Sequence, residues 1–186
     1  MNPLLRLVRR FRRDRRGSIL AETAITLSIL AMVSLAGVEV ARYTLLHQKM
    51  ERIAASIGDL IAQAETLSET DVTNVFDAIG EIAKPFEMGP NGLVIISSVS
   101  ATGGSGPVMN WQRTGGGSMG ASSEVGEPGN PATLPPGLIV DDGDTVIVAE
   151  VRYSYTPWLY SAVIDPSELY HTAFFRPRMG ALKEIN

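Results

Sequence analysis

Between residues 18 and 41 the chain reads SILAETAITLSILAMVSLAGVEVA, a run of apolar and small residues broken only by Glu22 near one end and Glu39 near the other. A hydrocarbon layer about 30 Å thick is crossed by about 20 helical residues, so residues 19–38 are long and apolar enough for a transmembrane helix. The helical period continues beyond the apolar run. Tyr43, Leu46, Met50, Ile53, Ile57, Leu60, Ala64 and Leu67 recur at spacings of three and four, while His47, Lys49, Glu51, Arg52, Ser56 and Asp59 fall elsewhere on the wheel. This predicts one helix over residues 18–67, its first half in lipid and its second against protein, with Gly58 as a candidate bend. Such a stripe suits packing on the chain's own domain or a coiled-coil seam with another subunit.

A second helix is predicted over residues 71–84, with Ser68 or Thr70 as its cap and Val72, Val75, Phe76, Ile79 and Ile82 on its buried face; Pro85 ends it. The turn Gly89-Pro90-Asn91-Gly92 leads into strands over 93–100 and 108–113. Residues 115–137 hold seven glycines and four prolines. With few large apolar side chains between them, they read as a mobile surface loop. In residues 145–155, Ile147, Ala149, Val151, Tyr153 and Tyr155 alternate with Val148, Glu150, Arg152 and Ser154, the pattern of a strand with one buried and one solvated face. A last strand over 169–176 ends at Pro177, which suits an edge or a strand terminus. The predicted class is α+β: a long N-terminal transmembrane helix, a second short helix and a small, mostly antiparallel sheet of about four strands.

Charge decides how this plan meets a membrane. The formal net charge of −4 conceals a +6 head, because seven arginines against Asp14 occupy the first 17 residues. A basic arm could contact nucleic acid, but the apolar run that follows at once favours membrane orientation, with the arginines held in the cytoplasm and everything beyond residue 41 across the bilayer. No nucleic-acid partner is expected. The chain has no cysteine, which removes disulfides and thiolate metal sites from consideration.

Glu22 is the most informative residue, since a carboxylate in a hydrophobic run costs a few kcal/mol unless it finds a partner or reaches the interface. If the chain is cut between Gly17 and Ser18, the new Ser18 ammonium lies one helical turn before Glu22 and can neutralise it, within the chain or from a neighbouring subunit. Snorkelling into the head-group region is the plainer alternative. The run Arg15-Arg16-Gly17-Ser18-Ile19-Leu20-Ala21-Glu22 resembles a type IV prepilin processing site, in which a basic leader ends in glycine and glutamate is the fifth mature residue. Over nearly its whole length the chain is similar to the TadE-like (TadE/TadG) family of the tight-adherence type IV pilus assembly system. That similarity includes Val108-Met109-Asn110-Trp111-Gln112-Arg113, Val148-Ala149-Glu150-Val151-Arg152-Tyr153 and Phe175-Arg176-Pro177-Arg178, and one departure is Thr23, where relatives often carry an aromatic residue.

The resemblance implies a pseudopilin or minor-pilin-like protein. Its expected parts are a basic cytoplasmic leader (1–17), a pilin-like transmembrane helix (18–41), an extramembrane continuation (42–67) and an extracytoplasmic α+β domain (68–186). Gly17 and Ser18 would be processing residues and Glu22 an assembly residue. The implied partners are a prepilin peptidase, other pilins and pseudopilins, the inner-membrane pilus assembly platform and the lipid bilayer. Inner-membrane location with a periplasmic domain, and possible incorporation into a pilus, follow from the same resemblance. The alternative is an uncleaved, signal-anchored envelope protein whose outer domain binds a surface ligand or partner.

Other chemistry is weak. Gly116-Gly117-Ser118-Met119-Gly120 fits a nucleophile elbow, with Asp165 and His171 following in hydrolase order, but the loop lacks the strand and helix that such an elbow needs. No enzymatic activity is expected. His47 and His171 are too few for a histidine metal cluster and read as half-exposed polar contacts; Asp141-Asp142-Gly143-Asp144 reads as a turn, not a calcium loop. No cofactor or metal is expected. Trp111, Trp158, Tyr153, Tyr155 and Tyr160 are expected first as core, and Arg176 and Arg178 as partners of acidic residues.

Overall fold

A computed structural model describes residues 16–104, 106–159 and 163–186, and in it the apolar run is one unbroken helix, α1 (Arg16–Ala62). Of the expected leader only Arg16 and Gly17 are described, and both are helical; the rest lies outside the described residues. Residues 17–35 are all exposed, as a lipid-facing surface would be, and α1 is long and apolar enough to cross a membrane. Burial starts at Glu39 and then follows the helical period through Leu46, Met50, Ile53, Ile57 and Ile61. The stripe therefore packs on the chain's own domain. Its predicted end needs correcting: Leu60 is 53% exposed and Ile61 is buried in its place, because a four-residue step from Ile57 keeps the apolar face pointed at the sheet. The helix stops at Ala62, and Leu67 is buried in the connection that follows. At that end the Ala62 carbonyl, which has no partner within a helix terminus, accepts the Arg178 N–H at 2.9 Å.

α1, unbroken from Arg16 to Ala62, is not interrupted at Gly58. A Cβ there would stand 2.6 Å from the Phe175 ring, so glycine is what lets the helix lie close to the sheet. The second helix, α2 (Glu69–Ala83), is capped by Ser68, whose Oγ accepts the Asp71 N–H at 3.2 Å while the Asp71 carboxylate accepts the Ser68 N–H at 3.0 Å. This reciprocal box satisfies two donors that a helix start leaves free. Val72, Val75, Ile79 and Ala83 are buried and Phe76 and Ile82 half-buried, close to the predicted face.

Four strands, β1 (Gly92–Ala101), β2 (Pro107–Gly115), β3 (Thr145–Tyr155) and β4 (Ser167–Phe175), form an antiparallel sheet in the order β2-β1-β3-β4. The fold is α+β, and β4 is an edge strand as Pro177 suggested. One face carries Val94, Ile96, Ile147, Val151, Tyr153 and Tyr155 against α1 and α2. Each large side chain so buried stabilises the fold by roughly 1.5–3 kcal/mol. A bulge in β2 admits Asn110 as an extra residue, since Ser98 pairs with Trp111 and Val99 with Met109. Two residues that would share a face of a regular strand are thereby divided: Trp111 joins the helix-side core and Met109 the other. Asn110 itself is held by Ser98 and Ser100 at 3.1 and 2.9 Å.

The other face of the sheet is not solvated, contrary to the alternation in β3. Val125 is buried, and Leu134, Leu138 and Val140 are partly so; they cover Val99, Met109, Val146 and Val148. Residues 115–137 are thus a folded cover with few but well-placed apolar side chains. Glu150, buried on this face, holds the cover down by accepting the Glu124 N–H at 2.9 Å and the hydroxyls of Ser123 and, at 2.8 Å, Tyr170. The C-terminal segment closes the helix side. Its Leu182 carbonyl accepts both Trp111 Nε1–H and Ser98 Oγ–H at 2.9 Å, and Asn186 N–H reaches the Leu67 carbonyl at 2.8 Å.

Candidate functional site

The three residues singled out for processing and assembly all lie on the exposed half of α1. Gly17 and Ser18 are exposed and helical, and a Cβ on Gly17 would meet nothing within 4 Å. Glu22 is exposed, one turn after Ser18, in a shallow surface groove lined by Ile19, Thr23, Thr26, Leu27 and Leu30. It makes no hydrogen bond or ion pair with any described residue. The hydroxyl of the adjacent Thr23 is engaged elsewhere, donating to the Ile19 carbonyl at 2.8 Å.

Glu39 is the opposite case, and the sequence reading gave it no role. Its side chain is 1% exposed and accepts Tyr155 O–H and, at 3.1 Å, the Trp158 N–H; Arg42 Nη1 lies 3.8 Å away. The carboxylate needs those donors because it leaves water. In turn, burial and the neighbouring carboxylate push the Tyr155 hydroxyl up to about 12, so it remains a donor at any physiological pH. Tyr43 packs edge-on against Tyr155 with ring centres 5.0 Å apart. The Arg42 guanidinium lies over Trp158 at 4.3 Å and near Tyr155 and Phe86 at 5.6 and 5.7 Å. A charge ending an apolar run one turn before an arginine was the available signal. Trp158 also departs from its expected core place, being 67% exposed; Trp111, Tyr153 and Tyr155 are core, and Tyr160 lies outside the described residues.

The remaining candidates are dispersed. Ser118 follows β2 and its N–H is bound to the Gly89 carbonyl at 2.7 Å, whereas His171 is in β4, at the opposite edge of the sheet. Three strand spacings of about 4.8 Å part those edges, which does not bring a hydroxyl nucleophile to its base. His171 instead meets His47, with Nδ1 of His47 and Nε2 of His171 3.0 Å apart. The two histidines are therefore one contact between α1 and β4. Burial, then the charge of His47, holds His171 below the ordinary histidine range. Asp142 Oδ1 accepts the Gly103 N–H in the turn into β3, and Asp144 pairs with Arg176 at 3.1 Å. Arg178 pairs with Asp59. Among the described residues no group of three or more histidine or acidic side chains is arranged to hold a metal.

No family model, curated protein or solved structure matches this chain.

Proposed function

We propose that this chain is a pseudopilin or minor-pilin-like component of a tight-adherence pilus assembly system, cut between Gly17 and Ser18 by a prepilin peptidase and integrated through α1. The observation that carries the reading is Glu22: an acidic side chain on the exposed, apolar half of a helix, with no described residue to pair with. A lone anchor gains nothing from such a group, which costs a few kcal/mol in lipid. A subunit that must pack beside others through the same helix gains a specific contact, because the Ser18 ammonium of a processed neighbour satisfies it by a charge-assisted hydrogen bond. The folded domain at the other end of α1 then stands on the periplasmic face of the inner membrane, with the arginine-rich head in the cytoplasm. On this reading its partners are the prepilin peptidase, other pilins and pseudopilins and the inner-membrane assembly platform, and its role belongs to adhesion and secretion through the pilus.

A second reading is favoured by one feature. α1 runs unbroken across the Gly17–Ser18 bond, and a protease cleft takes an extended chain. A signal-anchored envelope protein that keeps its leader needs no unwinding there, and its outer domain would bind a surface ligand or partner. Mass spectrometry of protein extracted from membranes that contain the peptidase separates the two. The first requires a mature N-terminus at Ser18, abolished by Gly17→Arg; the second requires a chain that begins at Met1 or Asn2 in both.

A further inference from the structure

Exposed apolar side chains run the length of the first half of α1, from Ile19 at 61% through Leu30, Met32 and Leu35 to Val38 and Val40 at 52% and 49%. Beyond them the helix turns one-sided, with Leu46 and Met50 fully buried by the domain. Trp158 lies at this boundary. Its N–H is bound to Glu39 and its indole lies 4.3 Å from the Arg42 guanidinium. Helical side chains lean toward the N-terminus, so the guanidinium and the ring beneath it stand level with the last exposed valines.

Among the described residues, none covers the outward part of the Trp158 ring. The helix-side core takes Tyr153 and Tyr155 from the same strand, and the loop then turns the next aromatic outward at 67% exposure. At the edge of a hydrocarbon layer the indole has a use, since its apolar body enters the acyl region while its N–H stays among the head groups. Arg42 supports the ring from the protein side: it is mostly covered, at 24% exposed, its Nη1 is buried 3.8 Å from the Glu39 carboxylate, and its guanidinium lies 4.3 Å from the indole.

We propose that Trp158 and Arg42 form a head-group-level anchor that seats the folded domain on the phospholipid bilayer from which α1 emerges. The partner is the lipid surface itself, because the patch is continuous with the exposed belt of the helix and ends where that belt ends. With Glu39 fixing the loop to α1, the anchor sets the tilt and rotation of the domain on the membrane. The inference rests on α1 spanning a bilayer and is independent of any role in a pilus.

The test uses the full chain in nanodiscs of phosphatidylethanolamine and phosphatidylglycerol, with and without bromine in the upper acyl chain. Bromine quenches only tryptophan that it touches, and the other tryptophan, Trp111, is 6% exposed in the core. The expected result is quenching in the parent that is lost in Trp158→Phe, while both proteins enter the discs equally through α1. Protein that enters the discs without quenching, or quenching retained in Trp158→Phe, overturns the anchor but leaves the membrane helix standing. Protein that fails to enter the discs overturns both.

Discussion

The two halves of α1 treat the same residue types in opposite ways. Glu22, on the exposed half, has no described partner, while Glu39, about 25 Å further along the axis, is buried beneath Tyr155, Trp158 and Arg42. The glycines repeat the contrast. Gly37 has open space where a side chain would go, and Gly58 has the Phe175 ring. The first half is thus an exposed, mostly apolar surface, and the second is part of the domain's own core. A carboxylate in a helix is informative only once its partners, or their absence, are known.

The sharpest way to break this comparison is to exchange the fates of the two acids. Glu39→Ala leaves the Tyr155 hydroxyl and the Trp158 N–H without an acceptor in a buried site, and should lower the stability of the domain by about 3 kcal/mol. Glu22→Ala should leave it unchanged, both being read from urea denaturation in detergent micelles. A smaller loss, about 2 kcal/mol, is expected for Gly58→Val, which forces the Phe175 ring away from α1, against no loss for Gly37→Val under the same conditions. Equal effects of the two valines would refute the division of the helix. Tyr155→Phe keeps the packing but takes one donor from the buried Glu39 carboxylate, so about 1.5 kcal/mol should be lost.

The weakest expected effect concerns His171. Its folded value is depressed, so the unfolded chain binds the proton first: stability from this group is complete above the ordinary histidine value of 6.5 and is lost as pH falls from there through the folded value. Melting temperature should therefore fall between neutral pH and about pH 5, and His171→Phe should flatten that slope. A variant with the parent's slope would place the titration elsewhere.

How much of this was legible follows from where the signal lay. The long helix was plain because its period is sustained; the cap lay open between Ser68 and Thr70, and the reciprocal bonds of Ser68 with Asp71 decide it. Leu60 misled because steps of three and four are equally helical, and only the sheet decides between Leu60 and Ile61. Residues 115–137 looked loose because Val125 and Leu134 are scattered among glycines and prolines; what makes them a cover is a sheet face that alternation in β3 marked as wet. The bulge at Asn110 leaves no periodic trace, so nothing in the spacing of Met109 and Trp111 assigns them to different faces. At the candidate site, Gly17, Ser18 and Glu22 were singled out from the junction of a basic head with an apolar run. Glu39 was passed over because its donors come from more than a hundred residues away.

The central claim is that Glu22 is kept for a contact between subunits, and Glu22→Leu tests it most directly. The measurement is crosslinking and co-purification of the variant with pilus components from cells that contain the peptidase, with membrane fractionation of the same samples. Leucine relieves a polar penalty in the helix, so insertion should match or exceed the parent, while the acceptor for a neighbouring Ser18 ammonium is gone. The account predicts a protein that fractionates with membranes, keeps the parent's stability and no longer co-purifies with its partners. A Glu22→Leu protein that inserts, associates and supports piliation like the parent would contradict it.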